Sequence, residues 1–163
     1  MFRRILVPID GSPTSNRGLG AAIGLARDQK ARICLLHVID ELVIPAGAEG
    51  MAFVPASYMD EFIRALRAGG KRLLDRAEAK VRKHGIEVEA VLLETVGHRV
   101  ADQIIKQVKK WRADIVVLGT HGRRGLSRVV MGSDAELVLR ATPVPVLLVR
   151  SPLRPHPPRG RRA

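Results

Sequence analysis

The sequence predicts an α/β fold with one open parallel sheet, because short apolar runs alternate with longer helical patterns along the chain. Four of the runs are nearly continuous in Val, Ile and Leu, as is typical of strands buried on both faces; they cover residues 5–9, 33–39, 114–118 and 144–149. A fifth run, 86–91, alternates apolar with polar residues, which predicts an edge strand with one wet face. Strands separated by helices pair in parallel through crossovers, so helices are expected on both faces.

Four amphipathic patterns predict the helices between these strands. The first helix follows Ser12 as its N-cap and has Pro13 at its first position. The second covers residues 57–84 and is expected to kink at the Gly69-Gly70 pair, since each glycine costs about 1 kcal/mol relative to alanine in a helix. Gly85 is expected to end it as a C-cap glycine.

The third and fourth helical patterns complete a βαβαβαβαβ order. The third buries apolar residues at helical spacing between Val100 and Trp111, and the fourth opens on a Ser-x-x-Glu capping box from Ser133 to Glu136. Residues 41–56 fall outside the alternation and predict a flexible connection or a lid. The organisation is therefore one domain over residues 1–150 and a Pro- and Arg-rich tail over residues 151–163 that is expected to be disordered.

Length and composition exclude several classes of protein. With 163 residues and 46% hydrophobic content, the chain is neither disordered nor a multi-domain enzyme. It can bury a core without stabilising metal ions or disulfides. Its only cysteine, Cys34, excludes an internal disulfide and any cysteine-rich metal centre, which suits a reducing cytoplasm. No signal peptide and no membrane span are predicted, so a cytoplasmic protein is expected.

The net charge of +12 is less informative than its size suggests. Four of the arginines lie in residues 151–163, which contain no acid, so residues 1–150 keep +8. The chain contains only five aromatic residues, too few for the stacking platforms that single-stranded nucleic acid requires. Weak non-specific attraction to phosphate is expected, but specific nucleic-acid binding is not.

One glycine-rich segment carries a candidate anion site. After the fourth strand, Gly119, Gly122, Gly132 and Ser133 follow the pattern Gly-x2-Gly-x9-Gly-Ser and lead into a helix. Glycines allow backbone N–H groups to converge on a phosphate, and the helix start adds its own N–H groups and dipole. The segment is neither a Walker A loop nor a dinucleotide Gly-x-Gly-x-x-Gly motif, which argues against a P-loop NTPase and a standard Rossmann dehydrogenase.

The same residues also have structural explanations. Gly119 could simply end a strand, Gly122 and Gly125 could form turns, and Ser133 with Glu136 could be only a capping box. It is their joint spacing between a strand and a helix that favours the anion site.

Several motifs in order resemble the universal stress protein family over residues 3–150. They are Ile5-Leu6-Val7-Pro8-Ile9-Asp10-Gly11-Ser12, Leu36-His37-Val38, the run from Ala113 to Gly122, the Gly132-Ser133 pair, and Pro143-Val144-Pro145-Val146-Leu147-Leu148-Val149. The resemblance implies strand order 3-2-1-4-5, with the winding reversed between the first and fourth strands. A ligand is expected at that switch point.

The resemblance to the ATP-binding branch of this family implies a nucleotide site. Adenine would pack near Pro8 and Leu118 and bind the backbone of Val38, and Asp10 would hold the ribose hydroxyls. The phosphate loop would comprise Gly119, Thr120, His121, Gly122, Arg123 and Gly125, and the phosphates would meet Gly132, Ser133 and Asp134 at the helix start. The carboxylate of Asp134 would repel a phosphate unless it points away or shares a Mg²⁺ ion, so the implied cofactor is ATP with or without Mg²⁺.

Individual side chains have simpler alternatives. Asp10 could be a turn residue and Pro8 could mark a bulge. His37 is expected to be a satisfied core histidine, whereas His121 could be exposed. Neither histidine has companions at ligand spacing, so no transition-metal site is expected, and Cys34 is expected to be buried and inert.

The sequence favours a nucleotide-dependent stress or regulatory protein over an efficient enzyme. Arginines could neutralise phosphate charge, but no motif contains an obvious base for phosphoryl transfer. The family resemblance also implies a homodimer through the last strand, which begins at Val144 and ends at Val149 at a sheet edge; a monomer with a covered edge is the alternative. The other two hypotheses are a dimeric interaction module without nucleotide and a slow ATPase.

Overall fold

A computed structural model describes residues 1–40, 56–120 and 132–150, and within them the chain forms an open five-stranded parallel sheet. The strand order is β3-β2-β1-β4-β5, so the predicted fold class and order are confirmed. The elements are β1 (Arg4–Pro8), α1 (Pro13–Gln29), β2 (Arg32–Asp40), α2 (Ala56–Arg82), β3 (Val88–Thr95), α3 (Val100–Trp111), β4 (Ile115–Gly119), α4 (Ser133–Ala141) and β5 (Val146–Val149). In the described ranges no helix is both long and apolar enough to cross a membrane.

Helices cover both faces of the sheet, as predicted. α1 and α2 bury their apolar stripes on one face against β1, β2 and β4. α3 and α4 pack on the opposite face. The three central strands are almost wholly buried, whereas β3 is exposed at several positions, which agrees with its predicted place at an edge.

Two strands have boundaries that differ from the predicted ones. β3 was expected over residues 86–91, but it pairs with β2 as far as Asp40 and Thr95. Leu92 packs against the core on one face of the sheet and Leu93 against the core on the other. The strand therefore extends beyond the alternating pattern that predicted it. β5 begins at Val146 rather than at 144, because its pairing with β4 starts there.

The capping predictions have opposite outcomes. The Ser12 hydroxyl accepts from the Ser15 N–H at 3.1 Å and caps α1, as predicted. The capping box at the start of α4 is wrong, since the helix begins one residue earlier than a Ser133 cap requires. Gly132 is the N-cap, because its carbonyl already accepts from the Glu136 N–H at 3.0 Å. Ser133 is thus the first helical residue and does not cap the helix.

α2 continues through its glycine pair, where the predicted kink stays a prediction, and Gly70 serves packing against the sheet. α2 runs continuously to Arg82, two residues short of the predicted end, and Gly85 has the positive φ (68°) expected of a glycine that closes the following turn. Gly70 is buried, and a Cβ there would lie 2.8 Å from Cδ2 of His37 and 2.9 Å from Cδ1 of Leu92. Glycine at this position lets the helix approach the sheet closely.

We expect Gly69→Ala and Gly70→Ala to change stability in opposite directions. Alanine favours a helix over glycine by up to about 1 kcal/mol, and at Gly69 the nearest atom to a new Cβ is an arginine nitrogen 4.0 Å away. Gly69→Ala should therefore raise the free energy of unfolding. Gly70→Ala should lower it by about 1–3 kcal/mol through overpacking. Urea denaturation measures both, and stabilisation by both would contradict the packing role of Gly70.

Candidate functional site

The carboxyl ends of β1 and β4 lie side by side where the winding of the sheet reverses. β1 pairs with β2 on one side and with β4 on the other, and the crossovers leave these strands in opposite directions. Open α/β sheets bind ligands at such a point. The topology therefore brings Pro8, the last residue of β1, and Asp10, just beyond it, together with Leu118 and Gly119 at the end of β4.

Asp10 lies in a tightly bonded turn between β1 and α1. Its Oδ1 atom accepts from the Ser12 N–H at 2.9 Å, and its own N–H donates to the Ser15 hydroxyl at 3.4 Å. The simpler explanation, that Asp10 is a turn residue at a helix entry, is therefore correct. The same bonds orient the half-buried carboxylate at the switch point, which a ribose contact would require.

The backbone of Val38 faces the crevice because of its position in the ladder. Arg32 donates its N–H to β1, whereas Ile33 donates to the Glu87 carbonyl on the other side. Even-numbered residues of β2 therefore face β1, as alternation in a parallel ladder requires. The last β1 residue paired with β2 is Pro8, opposite Leu36. Val38 thus presents its peptide groups beyond the end of β1, where the sequence resemblance puts the adenine.

Gly119 is the point of closest approach between β4 and α1. A Cβ built on it would lie 2.9 Å from the carbonyl carbon of Thr14 and 3.0 Å from the nitrogen of Ser15, both backbone atoms. Gly18 faces it from the helix, with 3.5 Å from its own built Cβ to the Gly119 nitrogen. Glycine at 119 is therefore explained by packing, which also holds the start of α1 against the switch point.

A backbone hydrogen bond connects the two ends of the glycine-rich segment. The Gly132 N–H donates to the Thr120 carbonyl at 2.9 Å, and the Thr120 N–H donates to the Val149 carbonyl at 3.0 Å. The described residues on either side of the segment, Thr120 and Gly132, are therefore held together beside β4 and α4. Four predicted phosphate-loop residues, His121, Gly122, Arg123 and Gly125, lie in that segment, outside the described residues.

A cleft of about 690 Å³ opens between the start of α4, the end of β2 and the turn before α3. Of the predicted site residues, Ser133 and Asp134 line it, both exposed in the first turn of α4. The other described predicted residues lie at neighbouring strand ends or at the α4 cap and are not among its lining residues.

Sequence reasoning missed most residues that line this cleft. Asp40 comes from the end of β2, and Gly97, His98 and Arg99 form the β3–α3 turn. Gly97 has a φ of 72°, so a strand-to-helix turn with a glycine was the available signal. Loops at the carboxyl ends of parallel strands commonly build ligand sites, and this rule could have directed attention to the turn.

The cleft carries charges of both signs. The acids Asp40, Asp134 and Glu136 and the basic residues His98, Arg99 and Arg140 all line it. Glu136 and Arg140 form an ion pair at 2.7 Å along α4. The described part of the chain contains no group of three His, Cys, Asp or Glu side chains that could hold a metal ion.

Cys34 and His37 are both buried, as predicted. Burial raises the pKa of the Cys34 thiol to about 12, which outweighs the lowering by its hydrogen bond from Gln107. The thiol therefore stays protonated and unreactive at neutral pH. The His37 ring is satisfied by the Ile9 carbonyl, with 2.7 Å between Nδ1 and the oxygen.

Comparison with known proteins agrees with this architecture. The model of the universal stress protein family matches residues 1–150, and the chain therefore belongs to the universal stress protein family. It is 32% identical over 151 residues to Universal stress protein YxiE of Bacillus subtilis, covering 92% of this chain and 100% of that protein.

Solved structures show the same fold. A universal stress protein family member from Burkholderia pseudomallei matches with a TM-score of 0.71 and 30% identity over 92% of this chain and 97% of its own. The universal stress protein from Archaeoglobus fulgidus in complex with dAMP matches with a TM-score of 0.61 and 24% identity over 91% and 98% of the chains.

Proposed function

We propose that this protein binds ATP at the switch point of its sheet and acts as a nucleotide-dependent regulator in stress responses. The observation that carries the proposal is the bond from the Gly132 N–H to the Thr120 carbonyl. It joins the two described ends of the Gly-x2-Gly-x9-Gly-Ser segment at the carboxyl edge, where Asp10 and the peptide groups of Val38 also lie.

Each part of ATP has a matching set of groups in this proposal. The base lies near Pro8 and Leu118 and bonds to the peptide groups of Val38, while the Asp10 carboxylate accepts from the ribose hydroxyls. The triphosphate lies in the loop of Gly119, Thr120, His121, Gly122, Arg123 and Gly125 and against Gly132, Ser133 and Asp134. Helix N-termini favour anions through their N–H groups and dipole, and the absence of a side-chain cap on α4 suits this role.

Relatives support an adenine nucleotide as the ligand. The Archaeoglobus fulgidus protein was solved with dAMP, and another universal stress protein was solved with cAMP. Mg²⁺ usually keeps several waters and binds one or two carboxylates together with substrate phosphates. Asp134 is the carboxylate that would share such an ion with ATP, which would also remove its repulsion of the phosphates. ATP binding with at most slow hydrolysis fits these groups, because they stabilise charge without an evident base.

We also propose that two copies pair through β5 in the cytoplasm. β5 lies at the sheet edge, and Pro145 and Val149 direct their carbonyls to β4. By alternation, Val146 and Leu148 direct their peptide groups outward, where a second strand can pair with them. Pro145 belongs to the set that faces β4, so its missing N–H removes no donor from the open edge.

The test of nucleotide binding is calorimetry with Mg-ATP. The wild-type chain should bind one ATP saturably in the micromolar range, about −8 kcal/mol, and Gly122→Val and Gly132→Val should both abolish binding. Gly132 has φ −63° and ψ 145°, which a residue with a side chain also adopts, so valine there should obstruct the phosphates without straining the backbone.

Gly20→Ala is the matched control, because Gly20 is exposed on α1 and a Cβ there meets nothing within 4 Å. It should leave ATP affinity unchanged. Wild-type affinity in both valine variants would remove the glycine segment from the site. A wild-type protein that neither binds ATP nor gains thermal stability from it would instead favour a dimeric interaction module.

A further inference from the structure

The His37 side chain makes an unusual connection at the end of β1. Its Nδ1 atom lies 2.7 Å from the carbonyl oxygen of Ile9, and the residue is only 8% exposed. Since a carbonyl can only accept, Nδ1 carries the hydrogen in this bond. A side chain of β2 thus binds the backbone of the residue directly before Asp10.

This bond stands where the next rung of the sheet would form. In a parallel ladder, the bond from Ile9 to Leu36 is followed by one from the Val38 N–H to the Ile9 carbonyl. The first of these exists, with 2.8 Å from the Ile9 nitrogen to the Leu36 oxygen. The second is not found among the described residues, where no backbone hydrogen bond runs from the Val38 N–H to the Ile9 carbonyl. The Ile9 carbonyl accepts from the His37 ring instead.

The surroundings hold the ring in this position. Gly70 of α2 lies directly against it, since a Cβ there would approach His37 Cδ2 to 2.8 Å and the Cδ1 atoms of Leu92 and Ile39 to 2.9 and 3.3 Å. The absence of a side chain at 70 therefore leaves the space that the imidazole fills. A ring packed on this side and bonded on the other has little freedom to leave the carbonyl.

We propose that His37 is a positioning residue that ends the β1–β2 ladder at Ile9 and thereby keeps the Val38 N–H available to a ligand. Val38 would otherwise pair with Ile9 and lengthen β1 by one rung. Its N–H would then have to break an intramolecular bond before it could bind a base. The ligand side of this inference rests on the proposed nucleotide function, whereas the ending of the ladder does not.

Two variants of the same shape separate the hydrogen bond from the packing. His37→Asn keeps an N–H donor close to the position of Nδ1, and His37→Leu has almost the same shape without a donor. Both lose the ring, so any effect of lost packing should appear equally in both. Only the leucine variant should release the Ile9 carbonyl.

Amide hydrogen exchange by NMR on the ligand-free full chain tests the ladder directly. The Val38 amide should exchange readily in the wild type and in His37→Asn, and at least about tenfold more slowly in His37→Leu, where a new rung forms. Equal protection of Val38 in all three proteins would overturn the proposal. This readout requires no nucleotide, so it decides the inference even if the protein fails to bind ATP.

Calorimetry with ATP and with inorganic tripolyphosphate tests the ligand side. The ATP dissociation constant should rise about tenfold in His37→Leu, equivalent to 1.4 kcal/mol, and stay near the wild-type value in His37→Asn. Tripolyphosphate, which lacks a base, should bind all three proteins equally. An equal loss of ATP affinity in both variants would assign the effect to packing and overturn the proposal, and binding of neither probe by the wild type would refute the proposed function alone.

Discussion

Replacement of Gly119 by alanine is expected to lower the free energy of unfolding by about 3 kcal/mol, at the upper end of typical overpacking costs. The new Cβ would lie 2.9 Å from the carbonyl carbon of Thr14 and 3.0 Å from the Ser15 nitrogen. These are backbone atoms in the first turn of α1, so they cannot rotate away as a side chain would. Relief requires α1 to move away from β4, which would also disturb the Ser12 cap and the Asp10 turn.

Urea denaturation, with the slope of the transition compared between variants, measures this effect. Gly20→Ala is the matched control, because a Cβ at this helical position meets nothing within 4 Å. It should raise stability by up to about 1 kcal/mol. A Gly119→Ala protein as stable as the wild type would show that α1 and β4 are not packed as closely as these distances indicate.

Leu147→Lys is expected to convert the proposed dimer into a monomer. Leu147 is 40% exposed on the edge strand β5, and a lysine on an edge strand opposes pairing with another strand. In a two-fold pair the change occurs twice, which brings two positive charges to one interface. Sedimentation or light scattering should therefore find the mass of two chains for the wild type and of one chain for the variant.

Leu139→Lys is the control for a general effect of replacing an exposed leucine by lysine. Leu139 is 44% exposed and lies on α4 rather than on the open edge, so its variant should keep the mass of the wild type. A Leu147→Lys protein that remains a dimer would exclude β5 as the interface. A monomeric wild-type protein would favour a covered edge.

Local patterns in the sequence were sufficient for the fold class. The continuous apolar runs predicted strands buried on both faces, and the alternating run predicted that β3 lies at an edge. Buried positions require apolar side chains, so the burial of a strand is visible in its local sequence. Ser12 and Pro13 predicted the start of α1 correctly, since an N-cap depends on neighbours in the chain. Strand order came from family resemblance, because periodicity does not specify which strands pair.

Local patterns were insufficient where contacts between distant elements decide the role of a residue. The low helix propensity of Gly69-Gly70 did not reveal that Gly70 is where α2 meets His37 and Leu92 of the sheet. Ser133 and Glu136 matched a capping box, but the Gly132 carbonyl already accepts from Glu136. In both cases the local pattern drew attention to the right segment, but it did not reveal which residues Gly70 and Glu136 contact.

The candidate site shows the same division. The sequence by itself determined an open α/β fold and a glycine-rich strand-to-helix segment, because hydrophobic periodicity and glycine spacing are properties of neighbours along the chain. Only the tertiary structure decided that Thr120 bonds to Gly132, that Asp40 and the β3–α3 turn line the cleft, and that the His37 ring takes the place of Val38 at the Ile9 carbonyl. These arrangements depend on strand register and helix packing, which bring together residues that no local pattern connects.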